Sequence, residues 1–93
     1  MAREMCITSL ESALRLVGQQ AQLKPDIDLS DAHWLIEGAL TAIRSNWPPN
    51  DADKIIRGLC VFATKRLEPQ YQIMADQLFG VADIIRKEIG QDF

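Results

Sequence analysis

The sequence predicts an all-α fold, a compact antiparallel bundle of four helices, on three observations. Apolar residues recur at steps of three and four along almost the whole chain. Val and Ile never alternate with polar residues for more than a few positions, as a half-buried strand would require. The segments KPDIDLSD, NWPPN and LEPQ break the periodicity at three places. Connections this short join helices that lie antiparallel side by side.

The first helix is expected over 3–22. Ile7, Leu10, Leu14, Val17 and Ala21 form its heptad seam, and Pro25 ends it. Thr8 followed by Glu11 could form a capping box, which would start the ordered helix there. The second helix is expected over 30–46, capped by Asp28 or Ser30, with Ala32, Leu35, Ile36, Ala39, Leu40 and Ile43 inward. Two prolines after Trp47 stop it, and Trp47 is placed as a plug at the bundle end. The third helix, over 51–67, is capped by Asn50 or Asp51 and faces Ala52, Ile55, Ile56, Leu59, Phe62, Ala63 and Leu67 inward.

The fourth helix, over 69–89, carries the widest apolar arc. Tyr71, Met74, Ala75, Leu78, Val81, Ala82, Ile85 and Ile89 share one side, with Phe79 at its edge. Pro69 suits the first helical position and Gly90 a C-terminal cap. One long helix kinked at Pro69 is the competing description of 51–89.

Composition bounds the function. Ninety-three residues make a single helical domain, 1–93, and a chain of this length buries only roughly 60 to 65% of its unfolded surface, so self-association would help it. A net charge of −3, with both signs interleaved, gives no general attraction to nucleic acid or an anionic membrane. No apolar run approaches the ~18 residues of a membrane span. Two cysteines far apart, behind an N-terminus unlike a signal peptide, point to a cytoplasmic protein with reduced thiols.

Groups that could carry chemistry each have a plainer explanation. His33 and Glu37, four apart with Asp31 nearby, supply too few ligands for a stable metal centre. Cys6 and Cys60 read as small buried hydrophobes, because a nucleophilic thiol needs a supported base beside it. Asp26, Asp28, Asp31, Asp51 and Asp53 all fall at or before helix N-termini, where capping accounts for them. No catalytic residue, metal or cofactor is expected, and the chain is not expected to be an enzyme.

What the bundle cannot use is more informative. Trp34 points almost opposite to Ala32, Ala39 and Ile43, sharing its side of helix two with Gly38 and Thr41. Helix three turns Lys54, Arg57 and Lys65 outward, with Val61 among them. Together these seven residues form the expected partner-binding surface, unless a bent helix or the N-terminal segment covers Trp34. Ile73, Gly80 and Ile84 on helix four, with Leu16 on helix one, form the expected dimer interface. The expected function is a small non-enzymatic regulator that sequesters or blocks a surface of a larger protein, such as a transcription factor or an enzyme, as a homodimer. The alternative is a DNA-binding transcriptional regulator using the basic face of helix three.

Overall fold

The structure, a computed structural model, describes residues 1–90, so the last three residues of the 1–93 unit lie outside it. Four helices follow one another: α1 (Ala2–Leu23), α2 (Ile27–Ser45), α3 (Ala52–Phe62) and α4 (Gln72–Glu88). A π-helical turn, Ala63–Leu67, extends α3. There are no strands among the described residues, and the Cα radius of gyration of 12.5 Å agrees with the roughly 12 Å expected of a folded chain this long. The chain is an all-α four-helix bundle.

Several boundaries differ from the sequence expectation, each for a local reason. α1 starts at Ala2, so Thr8 lies inside the helix and makes no capping box. α2 starts at Ile27 because Asp26 is its cap, accepting the Asp28 N–H at 3.0 Å through Oδ1. That earlier start brings Leu29, fully buried, into the core. Pro69 does not open α4. The π turn closes with the Glu68 N–H donating to the Ala63 carbonyl at 2.9 Å, and the chain passes through Pro69 before the helix resumes at Gln72. α3 and α4 are therefore separate helices. The Trp47–Pro48 and Glu68–Pro69 peptide bonds are both cis.

Helix pairing follows a square. α1 packs on α2 and α4, and α4 packs on α1 and α3. Arg44 Nη2 meets Glu11 Oε2 at 2.6 Å across α1 and α2, and Gln77 Nε2 donates to Ser12 Oγ at 3.0 Å across α1 and α4. Leu10, Ile36, Leu40, Ile43, Leu78 and Ile85 are fully or almost fully buried at the centre. On α1 the buried face is Cys6, Leu10, Ala13 and Val17, while Ile7, Leu14 and Ala21 of the expected seam are only partly covered. Burial there follows the line where α2 and α4 both meet α1, and small side chains hold that line. The expected inward stripe of α4 is buried from Tyr71 to Ile85, with Ile89 half-buried. The fourth side of the square, between α2 and α3, is closed only sparsely.

Candidate functional site: the open seam between α2 and α3

Two fasteners hold α2 and α3 at the ends of their shared side. At one end the Arg66 guanidinium, on the π turn, pairs through Nε with Asp28 and through Nη2 with Asp31 Oδ2 at 2.6 Å. The same guanidinium lies 5.1 Å from the centroid of the Phe62 ring, a cation–π distance. Next to it Tyr71 Oη donates to Asp26 Oδ2 at 2.8 Å. At the other end Asn46 Nδ2 donates to Asn50 Oδ1 at 2.8 Å across the NWPPN connection, where Trp47 packs partly buried against the core. Asp28 and Asp31 thus work mainly as partners of Arg66, whereas Asp26 is both cap and acceptor.

Between these fasteners the seam opens into a groove of about 500 Å³. Gly38, Ala39 and Ala42 line it from α2, and Ile55, Gly58 and Leu59 from α3. Trp34 stands on its lip with 72% of its surface exposed. Small residues leave room in it at Gly38, Ala39 and Ala42 of α2 and at Gly58 of α3. A Cβ added at Gly38 would meet nothing within 4 Å, and one at Gly58 would meet only Leu35 Cδ1, at 3.8 Å. The wall is long as well as low. Trp34 and Ser45 both line it, and eleven helical steps at 1.5 Å each make about 17 Å, roughly three turns of a docked helix. The Thr41 and Ser45 hydroxyls turn back to their own helix, donating to the Glu37 and Thr41 carbonyls at 3.0 and 2.8 Å.

The seven residues expected to bind a partner are distributed around this feature. Trp34, Gly38 and Lys54 line the groove, whereas Thr41 on α2 and Val61 on α3 are exposed outside it, Arg57 lines a separate depression with Asp53 and Ile89, and Lys65 is exposed on the π turn. The floor formed by Ala42, Ile55 and Gly58 was not anticipated. Its one sequence signal is a pair of mid-helical glycines, which a helix accepts at a cost of about 1 kcal/mol each unless close approach requires them.

The residues expected at a dimer interface lie on the opposite side of the square. Leu16, Gln20 and Ile73 line a shallow depression of about 310 Å³ between α1 and α4. Ile73 is 69% exposed and Gly80 is exposed too. Ile84 departs from the outward stripe: it is half-buried against the core, leaving Ile73 and Gly80 as the solvent-facing part.

The groups considered for chemistry stay apart. His33 Nε2 and Glu37 Oε1 are 3.9 Å apart on the surface, and the His33 ring meets Trp34 edge-on at 5.6 Å. Among the described residues no three His, Cys, Asp or Glu side chains gather as metal ligands would. Burial pushes the Cys6 thiol up to about 11, so it stays protonated in the core. Cys60 is half-buried and accepts a hydrogen bond from Arg86 Nη2 at 3.4 Å. Among the described residues no helix is long and apolar enough to cross a membrane. Comparison with protein-family models, with curated proteins and with solved structures found no match.

Proposed function

We propose that this chain is a small non-enzymatic regulator that binds a helix of a larger protein in the α2/α3 groove and so blocks the surface that helix belongs to. One observation carries the reading: an open, mainly apolar trough about three turns long, with a largely exposed tryptophan on its lip and a glycine in its floor. Helix-in-groove recognition needs a hydrophobic channel of this kind. Tryptophan is enriched among the residues that dominate interface energetics. Gly38 lets a partner backbone come close. Free thiols at Cys6 and Cys60 suit the cytoplasm, and the strip of half-buried Leu16 with exposed Ile73 and Gly80 suits a homodimer.

The test compares Gly38→Leu with the native chain as baits in the native cell. The leucine has open space to enter and fills the trough, so the variant stays folded and loses the partner. If both baits retain the same proteins, the groove is not the binding site. DNA binding through α3 is the weaker reading, since Lys54, Arg57 and Lys65 act against a net charge of −3.

A further inference from the structure

The trough is narrow as well as long, and its width decides how a helix can enter it. About 500 Å³ spread over about 17 Å leaves a cross-section of about 30 Å², whereas a helix about 10–12 Å across needs about 80 Å² or more. As the two walls stand, they take one row of side chains and hold the helix itself outside. Deeper seating requires α2 and α3 to spread.

The two ends of the seam resist spreading unequally. At the NWPPN end the chain itself joins α2 to α3, and α2 is also tied to α1 there. Arg3 donates from Nε to the Ile43 carbonyl at 3.2 Å and from Nη2 to the Arg44 carbonyl, and Arg44 meets Glu11 at 2.6 Å. At the other end, among the described residues, the polar contacts that the rest of the fold makes to the α2 N-terminus come from Arg66 and Tyr71. Arg66, Asp28 and Asp31 are 37, 30 and 43% exposed, so solvent and salt screen these pairs and each contributes little. Between the ends, Gly58 offers no side chain to interlock with Leu35, whose Cδ1 lies 3.8 Å from where a Cβ would stand. Leu29 on α2 and Ala63 and Leu67 on the π turn are fully buried, which keeps both elements seated on the core while the seam widens.

Resting on the helix-in-groove reading, we infer that the Arg66 clamp is a latch on the trough: the seam spreads from the Arg66 end about the NWPPN connection, and a helix seats fully only when the clamp lets go. Trp34 follows Asp31 by about one turn, so the exposed indole stands at the end that opens. Closing the clamp and seating the helix compete. The apparent affinity is then the intrinsic one scaled by the fraction of chains with the latch open.

Fluorescence anisotropy tests this with labelled, uncharged synthetic helices of about five turns, carrying Leu and Phe stripes of different spacing with Gln elsewhere. The chains compared are the native one, Arg66→Gln and Gly38→Leu, at a temperature where circular dichroism shows each folded. Arg66→Gln is expected to bind the best of these helices about fivefold more tightly than the native chain does, through faster association. Added salt should bring the native affinity toward that of Arg66→Gln, because it screens the clamp. A second measurement does not depend on that variant. Spin labels at Ser30→Cys and Lys65→Cys, exposed positions on either side of the clamp, report its separation in a Cys60→Ser chain whose buried Cys6 stays unlabelled. That separation should lengthen when the helix binds. Equal or weaker binding by Arg66→Gln, or an unchanged separation, would overturn the latch; with the helix still lost in Gly38→Leu, the groove reading would stand. No binding of any helix by the native chain or by Arg66→Gln would remove both.

Discussion

Gly38 lies in the middle of α2, where a helix gains nothing from glycine and a Cβ would touch nothing. Its cost to the isolated chain is the backbone entropy that any side chain would reduce. Gly38→Ala should therefore raise stability by about 0.5–1 kcal/mol, seen as a thermal midpoint higher by a few degrees in circular dichroism. An unchanged or lower midpoint would show that the backbone there is not relaxed α-helix. Trp34, one turn earlier, is mostly solvent-exposed. Trp34→Ala should change stability by less than about 1 kcal/mol, because little indole surface leaves water on folding and alanine favours the helix. Asp26 and Tyr71 make the opposite kind of contribution. The Asp28 N–H first, and the Tyr71 hydroxyl second, hold the Asp26 carboxyl below the ordinary carboxylate range. The hydrogen bond to Asp26, then burial, pushes the Tyr71 phenol above its ordinary value. A depressed carboxyl stabilises the fold above its unfolded pKa and stops doing so as pH falls through the folded one. A raised phenol stabilises below its unfolded pKa and stops doing so as pH rises through the folded one. Thermal midpoints of the native chain should thus fall below about pH 4 and above about pH 10. Tyr71→Phe should flatten the alkaline arm and shrink the acid one; an alkaline arm unchanged in that variant would show that another group produces it.

The α2 N-terminus and the π turn after α3 act as one fastener through Arg66. Its fork reaches two carboxylates on successive turns of α2, which the single ammonium of lysine cannot reproduce. Arg66→Lys should lower the thermal midpoint and Arg66→Ala should lower it further. In both, amide exchange should quicken in the first turns of α2 before it does in α4; uniform exchange would show that the clamp does not set local stability. This element also marks how far the chain could be read. The inward stripe of α4 and most of those on α2 and α3 were legible because burial of an amphipathic helix leaves a 3.6-residue trace. The fastener was not, since Asp28, Asp31 and Arg66 carry equally good local explanations as caps and dipole partners, and only tertiary geometry brings residues 35 or more apart together. Starts went astray at α2, where Asp26 caps the helix ahead of the expected Asp28 or Ser30, and at Pro69, where the turn outlasted the proline. The groove was half legible: periodicity shows which side of α2 carries Trp34, but not that α3 stands back from it.

In the square of helices the α1/α4 side is opposite the α2/α3 side, so a dimer through one leaves the other open. Leu23 lies one heptad after Leu16 on α1 and is 80% exposed, which extends the strip that Leu16 and Ile73 begin. A two-fold axis across this strip would bring the same patch of both copies together, as an isologous interface requires. The two grooves would then face away from each other, and a dimer could hold two partner helices at once. Sedimentation equilibrium should find twice the 10.5 kDa chain mass, with Ile73→Glu returning it to one. The glutamate falls in the first turn of α4, where negative charge is favoured, so the variant should stay folded. Because the two faces are independent, Ile73→Glu should bind a partner helix as tightly per site as the native chain does. Gly38→Leu should lose that helix and keep the dimer mass. A native chain that sediments as one copy at every concentration would leave the α1/α4 strip without a second chain to cover it, and a dimer that survives Ile73→Glu would put the contact elsewhere.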